Sequence, residues 1–498
     1  MTIISPSLQE FSELAGRGNL IPVVAEIVSD VETPIGVFQK LGRDGHSFLF
    51  ESAERNEESG RFSFVGIDPF LSLTLRNGEL TIDEKNGATL KRNTTDPLTT
   101  LEQLLAQFRL VPRSEIPHFQ GGAVGFVGYD VIRFFEPKAT IQSHDELELP
   151  EMMFVLAGTL VVFDHRFRTM RVIALADMRQ QSAGGAYRAA RDRIEAVLDK
   201  LATPVRLPAI AVPRTRNAPA TAISQTNTPD FESMVSRAKQ YIARGDIFQV
   251  VLSQRFASEF SGNPLDLYRC LRFGNPSPYM FLLNFGEEFC ALGSSPEVHV
   301  RVRGPVAELR PIAGTRPRGE DLVSDEKNAR ELLADPKERA EHVMLIDLAR
   351  NDLGRIAKIG SVRVTEQMTV ERYSHVMHIV SHVESRLRDG LNAFDAFRAT
   401  FPAGTVSGAP KIRAMQIISE LEKARRGFYA GAVGWFGFDG NCDSCIALRS
   451  VVLKNGTAFV QAGAGIVVDS DPVREREETE RKAMAVLTAI GRAREITP

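Results

Sequence analysis

The sequence predicts an α+β protein with antiparallel sheets. Segments rich in β-branched and aromatic residues follow one another in runs, and segments with helical periodicity are grouped apart from them. Turn sequences at Asp439-Gly440-Asn441 and Asn455-Gly456 divide residues 430–463 into a meander, which is typical of antiparallel strands. A Gly-x-Gly-x-x-Gly motif placed directly after a predicted strand is absent, which argues against a dinucleotide-binding alternation of strands and helices.

The length and charge of the chain exclude several classes of protein. A chain of 498 residues is too long for one ordinary hydrophobic core, so we expect two lobes. Its 60 basic and 63 acidic residues leave a net charge of -3, which does not indicate a nucleic-acid partner. Apolar runs stay well below the roughly 20 residues that span a bilayer, and the N-terminus lacks a basic region followed by an apolar stretch. We therefore expect a cytoplasmic protein without a membrane partner.

Residues 203–230 mark the predicted boundary between the lobes. They are rich in Pro, Ala and Thr and show no helical or strand period. We assign residues 1–205 to an N-terminal lobe and residues 228–498 to a C-terminal lobe. One short similarity links the two: Gly-punctuated residues 122–129 resemble residues 431–438, either by chance or because two sheets are built alike.

The elements follow in order from these patterns. The N-terminal lobe has predicted strands at 62–67, 152–163 and 171–175 and a helix at 181–202. The second lobe has predicted strands at 247–256, 279–303 and 361–383, besides the meander. Its predicted helices cover 228–244, 264–272, 324–334, 336–350, 410–424 and 472–491.

Helix 336–350 places a carboxylate among apolar residues. Asp335, Pro336 and Glu338 give it a well-signalled start. Glu341 then lies on the same helical stripe as Leu345, where burial is expected.

The final helix repeats the feature. Glu475 and Glu478 are three residues apart, with Lys482 and two alanines further along the stripe. Both helices could present solvated acidic faces, with Glu478 paired to Lys482. Alternatively, their carboxylates could form a cluster for a hard divalent cation, for which oxygen ligands favour Mg²⁺.

Three further segments have features of an anion-binding site. Gly404, Thr405 and neighbouring small residues precede the helix near Pro410, where the helix dipole favours an anion, although a tight structural turn is the simpler interpretation. Arg449 lies on a predicted strand beside small residues, which suggests a carboxylate pocket. Residues 463–465, Gly-Ala-Gly, let backbone N–H groups approach a ligand.

The histidines and cysteines are residue types that can bind metals or transfer protons. Residues 373–387 contain His375, His378 and His382, and their β-branched neighbours predict a strand. We expect structural roles for the first two and acid–base chemistry for His382. Cys442 and Cys445 form a Cys-x-x-Cys on a predicted strand, where positions three apart face opposite ways, so zinc or redox chemistry is not expected.

Taken together, ordered motifs from about residue 45 to 495 resemble the chorismate-utilising enzymes, and within them the anthranilate synthase component I family. The motifs are Ser295-Pro296-Glu297 and the segments 310–319 (RPIAGTRPRG), 325–356, 401–411 (FPAGTVSGAPK), 427–441 (GFYAGAVGWFGFDGN), 447–450 (ALRS), 461–472 (QAGAGIVVDSDP) and 475–483 (EREETERKA). The resemblance implies a two-lobed fold with antiparallel sheets packed face to face and helices on the outside.

The resemblance also implies the site residues. Glu341 and Glu478 would bind Mg²⁺ directly, with Glu338 and Glu475 supporting it through water. Glu297 would act as general acid, and His382 would be associated with an elimination step. Substrate contacts would fall on Gly314, Thr315, Thr405, Tyr429, Arg449, Gly463, Ala464, Gly465 and Lys482.

The implied reaction is amination of chorismate at C2 by ammonia, followed by loss of pyruvate to give anthranilate, the first step of tryptophan biosynthesis. Two positions separate this reaction from its relatives. Isochorismate and salicylate synthases carry Lys where this chain has Gln249, and aminodeoxychorismate synthases typically have Lys in the motif where it has Ala313. These enzymes are the alternatives, together with a catalytically silent, tryptophan-binding regulator.

The implied partners follow from the same resemblance. The cysteines lack the Gly-x-Cys-x-Gly context of a glutaminase, so ammonia would come from a separate glutamine amidotransferase subunit in a heterotetramer. Feedback inhibition by L-tryptophan would use Glu51, Ser52, Pro278, Tyr279 and Met280. Phe50 departs from the Leu that is usual in the family.

Overall fold

A computed structural model describes residues 3–53, 60–85, 87, 89–114, 116, 119–139, 144–212, 218–373 and 376–496. Within these ranges the chain forms 23 strands and 12 α-helices, and the strand pairs run antiparallel. The predicted α+β class is confirmed. Over the same ranges, no helix combines the length and apolar character needed to cross a membrane.

The N-terminal elements include the predicted strands and helix. Helix α5 matches the predicted helix 181–202, and Ser182 caps it by accepting a hydrogen bond from the Gly185 amide. The elements are β1 (Ile4–Ser5), α1 (Leu8–Leu14), β2 (Leu20–Val28), α2 (Pro34–Leu41), β3 (His46–Glu51), β4 (Phe62–Arg76), β5 (Glu79–Glu84), β6 (Leu90–Asn93), α3 (Pro97–Leu105), β7 (Gly122–Val127), α4 (Ile132–Phe135), β8 (Met152–Asp164), β9 (Thr169–Asp177) and α5 (Ala183–Leu201).

The C-terminal elements include the six predicted helices, with ends shifted by a few residues. The elements are β10 (Ile223–Ser224), α6 (Thr228–Ala243), β11 (Gln249–Glu259), α7 (Pro264–Gly274), β12 (Tyr279–Phe285), β13 (Cys290–Ser295), β14 (Val298–Arg303), β15 (Val306–Leu309), β16 (Ile312–Pro317), α8 (Leu322–Ala334), α9 (Pro336–Gly354), β17 (Arg363–Arg372), β18 (Val376–Arg386), α10 (Ala393–Thr400), β19 (Gly408–Ala409), α11 (Lys411–Leu421), β20 (Ala432–Gly437), β21 (Cys442–Ile446), β22 (Ser450–Lys454), β23 (Thr457–Ile466) and α12 (Pro472–Ile496).

The start of α11 and the end of α12 differ from the prediction for identifiable reasons. Pro410 precedes α11 with an extended backbone and forms the cap, so the helix begins one residue later than expected. Helix α12 continues five residues beyond the predicted end at 491, and Ala489, Ile490 and Ala493 are buried along it. Burial of these residues therefore extends helix α12 beyond the point where the sequence pattern predicts its end.

The two Gly-punctuated segments pair directly with each other. Strands β7 and β20 run antiparallel, and Gly125 lies opposite Gly434, its equivalent in the other segment. A Cβ at Gly125 would lie 1.9 Å from the Met153 carbonyl oxygen, and one at Gly434 would lie 2.2 Å from that of Asp443. Glycine is therefore required because neighbouring backbones come too close for a side chain.

The two predicted lobes share sheets and core. Besides the β7–β20 pair, β3 of the first lobe pairs with β12 of the second. Phe126 packs against Phe428 with ring centroids 5.1 Å apart, inside a hydrophobic cluster that draws residues from both lobes. The described residues between α5 and β10 form neither helix nor strand, but the division at 203–230 stays a prediction.

Candidate active site

A polar cleft forms where the glycine-rich end of β23 meets β11 and α12. In the β11–β23 ladder, Ser253 lies opposite Gly463 and Val251 lies opposite Gly465. A Cβ at Gly465 would be 2.5 Å from the Gln249 side-chain nitrogen, and one at Gly463 would be 2.7 Å from the Tyr429 hydroxyl. The glycines therefore expose the backbone to these two polar groups. The methyl group of Ala464 packs into a hydrophobic cluster, so only its backbone could contact a ligand.

Lys482 brings a positive charge to the same edge. Its Nζ donates to the Gly463 carbonyl oxygen at 3.0 Å and lies 2.7 Å from a carboxylate oxygen of Glu478. The predicted Glu478–Lys482 pair is confirmed. The ammonium group is therefore held beside the backbone that the sequence predicted to bind a ligand.

Glu297 is the buried acid of the polar cleft. It lies between β13 and β14 and is only 8% exposed. Burial raises the pKa of its carboxyl to about 8, and the nearby Thr405 hydroxyl, Arg449 and Lys482 oppose this rise. Because that pKa lies above neutrality, the group is largely protonated at pH 7 and can donate a proton.

Thr405 supplies an unsatisfied hydroxyl. It sits in the single 3₁₀ turn Gly404–Val406, which packs so closely on α9 that a Cβ at Gly404 would lie 1.8 Å from Leu348. Its buried oxygen has no hydrogen-bond partner of ordinary geometry among the described residues, although it is close enough to favour ionisation of Glu297. A buried hydroxyl of this kind is available to a ligand.

Arg449 and His378 form the opposite wall. Arg449 has a left-handed backbone (φ 46°), and burial lowers the pKa of its guanidinium while Glu297 opposes that change. Both side chains line a cavity of about 20 Å³ beside Pro296. His378 Nδ1 is 2.8 Å from the Gly314 carbonyl oxygen and 3.1 Å from the Thr315 hydroxyl. The predicted Gly314 and Thr315 therefore reach the cleft together with a histidine.

The structure does not bring His382 to this cleft. Its Nδ1 is 2.8 Å from the Thr365 hydroxyl and its Nε2 is 3.6 Å from Glu308. The two histidines lie on one face of β18, separated by about 13 Å of extended strand. His378, for which we expected a structural role, occupies the cleft instead, so these contacts do not support the acid–base role predicted for His382. Strand periodicity places both on the same face and could not distinguish them. His375 lies outside the described residues.

Carboxylates of the two acidic helices lie close enough to affect one another's ionisation. Burial raises the pKa of Glu341, and the carboxylates of Glu338 and Glu478 add to the rise. Burial likewise raises the pKa of Glu475, again with a contribution from Glu478. The like charges of α9 and α12 therefore repel one another across the cleft.

No metal site is preformed among the described residues, where no three His, Cys, Asp or Glu side chains lie close enough to hold an ion. Glu338 instead pairs with Arg316 at 3.1 Å, and Glu478 pairs with Lys482. The donor set nevertheless fits a hard divalent cation, because it offers carboxylate oxygens alone and a cation would relieve their mutual repulsion.

A second opening, the aromatic cavity, has a volume of about 120 Å³. All five residues predicted to bind tryptophan line it, namely Glu51, Ser52, Pro278, Tyr279 and Met280. Sequence reasoning missed most of its remaining wall, although the aromatic residues of segment 431–438 were a usable signal. That wall includes Phe50, Phe62, Phe64, Arg301, Arg310, Trp435 and Asp443.

Acidic groups of the aromatic cavity already have partners. A Glu51 oxygen accepts a hydrogen bond from the Tyr268 hydroxyl at 2.6 Å and lies 3.1 Å from Arg272 Nε. Asp443 accepts from the Tyr279 hydroxyl at 2.8 Å and from Arg301 Nε at 2.9 Å. The cavity is therefore a preformed apolar space with charged ends.

Comparisons with known proteins identify the family. The family model described as "chorismate binding enzyme" matches residues 45–488. The chain is 44% identical to anthranilate synthase component 1 of Acetivibrio thermocellus, over 99% of each chain. It is 45% identical to the protein of that name from Pseudomonas aeruginosa, over 97% of this chain and 98% of the relative.

Solved structures give the same result. Anthranilate synthase component I from Streptococcus pneumoniae superposes with a TM-score of 0.75 at 39% identity, covering 93% of this chain and 99% of the other. The menaquinone-specific isochorismate synthase from Escherichia coli shares the fold at 19% identity, with a TM-score of 0.71 over 97% and 98% of the two chains. The chain therefore belongs to the anthranilate synthase component 1 family of chorismate binding enzymes.

Proposed function

We propose that this chain is the large subunit of an anthranilate synthase, which aminates chorismate at C2 with ammonia and then eliminates pyruvate to give anthranilate. The observation that carries the proposal is the buried Glu297, whose carboxyl pKa burial raises to about 8 beside Arg449 and Lys482 and next to an unsatisfied Thr405 hydroxyl. Such a site combines a proton donor with groups that bind carboxylates. The names of the relatives supply the substrate and product.

Binding of the chorismate dianion would use the positive edge of the cleft. Arg449 and Lys482 can each bind a substrate carboxylate. The backbone N–H groups of residues 463–465 can approach the substrate because Gly463 and Gly465 have no side chains to block it. The Tyr429 hydroxyl, whose pKa burial raises to about 12, stays protonated and can donate a hydrogen bond.

The first chemical stage needs an acid and no base. Ammonia attacks C2 with its own lone pair, the ring double bonds shift towards C4, and Glu297 protonates the hydroxyl that leaves C4 as water. The ammonium group formed at C2 then loses one proton to solvent, which leaves the neutral amine. Gln249 cannot deprotonate water, since its amide is neutral, and Ala313 offers no amine for covalent attack. These two residues favour ammonia over the nucleophiles of related enzymes.

The second stage needs a base, and we assign it to His378. Burial lowers the pKa of its imidazole, which stays neutral at pH 7. With Nδ1–H donating to the Gly314 carbonyl oxygen, Nε2 keeps a free lone pair. That atom can accept the C2 proton as pyruvate leaves, which makes the ring aromatic.

Glu341 and Glu478 would hold Mg²⁺ directly, and Glu338 and Glu475 would support it through water. When bound, the cation supplies positive charge between the acidic helices and a substrate carboxylate, which would otherwise repel each other. To take part, Glu338 must leave Arg316 and Glu478 must leave Lys482.

The aromatic cavity would bind L-tryptophan as a feedback inhibitor. Its aromatic walls suit an indole, Glu51 suits the amino group, and Arg301 and Arg310 lie near enough to meet the carboxylate. Ammonia would come from a separate glutamine amidotransferase subunit, and two copies of each subunit would form a heterotetramer.

One assay tests the proposal. The purified chain is incubated with chorismate, Mg²⁺ and an ammonium salt at alkaline pH, and anthranilate is followed by its fluorescence. We expect anthranilate formation that requires both Mg²⁺ and ammonia. Isochorismate, salicylate or aminodeoxychorismate as product would contradict the proposed reaction in favour of a related enzyme. Tryptophan binding without turnover would indicate a silent regulator.

A further inference from the structure

A buried ion pair beneath the polar cleft joins Arg426 to Glu422. Arg426 is 2% exposed and Glu422 is 7% exposed. Two hydrogen bonds connect them, from Arg426 Nε at 2.8 Å and from Nη2 at 2.6 Å. Neither residue was singled out by the sequence, and neither takes part in the chemistry described above.

The guanidinium also bonds to two separate segments of backbone. Nη1 donates to the Val406 carbonyl oxygen at 2.7 Å, and Nη2 donates to that of Val251 at 2.7 Å. Val406 follows Thr405 directly, and Val251 lies opposite Gly465 in the β11–β23 ladder. One side chain therefore fixes the position of two segments that we predict to contact the substrate.

The remaining contacts reach a second residue of β11 and two tyrosine rings. Glu422 accepts hydrogen bonds from the backbone nitrogen of Ser253 at 2.8 Å and from its hydroxyl at 2.9 Å, and Ser253 lies opposite Gly463. The centre of the Arg426 guanidinium lies 4.7 Å from the ring centroid of Tyr129 and 5.6 Å from that of Tyr429. The aromatic rings fix the plane of the guanidinium.

Stability alone is a poor reason for such an arrangement. Desolvating two charges costs about as much as their attraction returns, and apolar replacements of similar volume are often neutral or stabilising. What the pair does supply is a set of directed bonds to separate segments of the chain. We propose that Arg426, held by Glu422, is a positioning residue that sets the spacing of the Thr405 turn, the Gly463–Gly465 backbone and Tyr429 around chorismate; this rests on the proposed function.

Arg426→Lys tests the proposal, because it keeps the charge but loses the planar fork. Arg193→Lys is the matched control. Arg193 also donates to backbone carbonyl oxygens of two other segments, those of Gly158 at 3.0 Å and Leu175 at 2.6 Å. These acceptors belong to β8 and β9 and not to the cleft. We measure melting temperature, chorismate binding by calorimetry, and kcat and KM for chorismate and ammonium. We expect Arg426→Lys to lower kcat/KM for chorismate at least tenfold and to weaken chorismate binding, with KM for ammonium nearly unchanged. The control should keep wild-type kinetics.

A double variant separates positioning from stability. Arg426→Met with Glu422→Leu should retain or raise the melting temperature and still bind chorismate poorly. Unchanged chorismate binding and kinetics in either folded variant would overturn the positioning role while leaving the proposed function intact. A wild-type chain that binds chorismate but forms no anthranilate would instead contradict the proposed function, and the binding measurement would still decide the role of Arg426.

Discussion

The polar cleft and the aromatic cavity differ in how far their polar groups are satisfied. In the cleft, Glu297 is buried and protonated near neutrality, Glu341 is repelled by neighbouring carboxylates, and Thr405 keeps an unsatisfied hydroxyl. In the cavity, Glu51 and Asp443 each accept hydrogen bonds from a tyrosine and an arginine. The same protein thus contains one site with unpaired or mutually repelling polar groups and one site whose polar groups are already hydrogen-bonded.

The difference teaches what each site is suited to do. Groups held away from their preferred protonation state or partner can respond to charge that develops during a reaction. Groups that are already paired give a preformed shape, which favours binding without chemistry. The following substitutions should affect turnover in the cleft and inhibitor affinity in the cavity, and a substitution that affected both equally would contradict this division.

The largest effect is expected at Glu297. Glu297→Gln removes the proton donor and keeps the shape, so kcat should fall about 10³-fold. Tryptophan affinity, measured by calorimetry, should stay the same. The exposed Glu366→Gln serves as the control for loss of one carboxylate. If Glu297→Gln retained wild-type kcat, the role of this residue as general acid would be wrong.

Glu341→Gln should lower turnover about 100-fold at limiting Mg²⁺, because substituting a metal ligand or a residue that supports it greatly lowers the affinity for the metal. The Mg²⁺ requirement measured by titration should shift to higher concentration, with tryptophan binding unchanged. The exposed Glu331→Gln provides the comparison on the neighbouring helix α8. An unaltered Mg²⁺ titration would refute the proposed ligand.

The histidines of β18 give a paired prediction. His378→Ala should reduce kcat about 100-fold, because it removes the proposed base. His382→Ala should change kcat little, since His382 bonds to Thr365 and lies near Glu308 outside the cleft. Steady-state kinetics of the two variants decide between them, and the reverse result would restore the original assignment to His382.

The pH profile should reflect Glu297. Since its carboxyl has a pKa of about 8, the protonated form decreases above that pH, and kcat at constant free ammonia should fall about tenfold per pH unit there. In the Glu297→Gln variant this alkaline limb should disappear. A falling limb that persisted in the variant would assign the titration to another group.

The smallest effect on chemistry is expected in the aromatic cavity. Ser52→Phe would fill part of the 120 Å³ space, so tryptophan should inhibit severalfold less strongly while kcat stays at the wild-type value. Inhibition curves at fixed chorismate concentration measure this. Loss of kcat with unchanged inhibition would show that the two sites had been exchanged.

Much of the fold and part of the site were predictable from local patterns. Capping residues and apolar periodicity located helices such as α9, where Asp335 accepts hydrogen bonds from the amides of Lys337 and Glu338. The same pattern revealed Glu341, because a carboxylate on an apolar stripe conflicts with its neighbours. Residues whose importance depends on distant contacts, such as Arg426 and Glu422, gave no comparable local signal.

The sequence by itself determined the α+β class, many of the helices and strands, and the motifs of the family, because these depend on residues that are close along the chain. Only the tertiary structure decided which of two equally placed histidines reaches the cleft, and that the similar segments around Gly125 and Gly434 pair with each other. It also decided that burial protonates Glu297. The physical reason is that burial, electric charge and hydrogen-bond partners arise from segments hundreds of residues apart, and only folding brings these together.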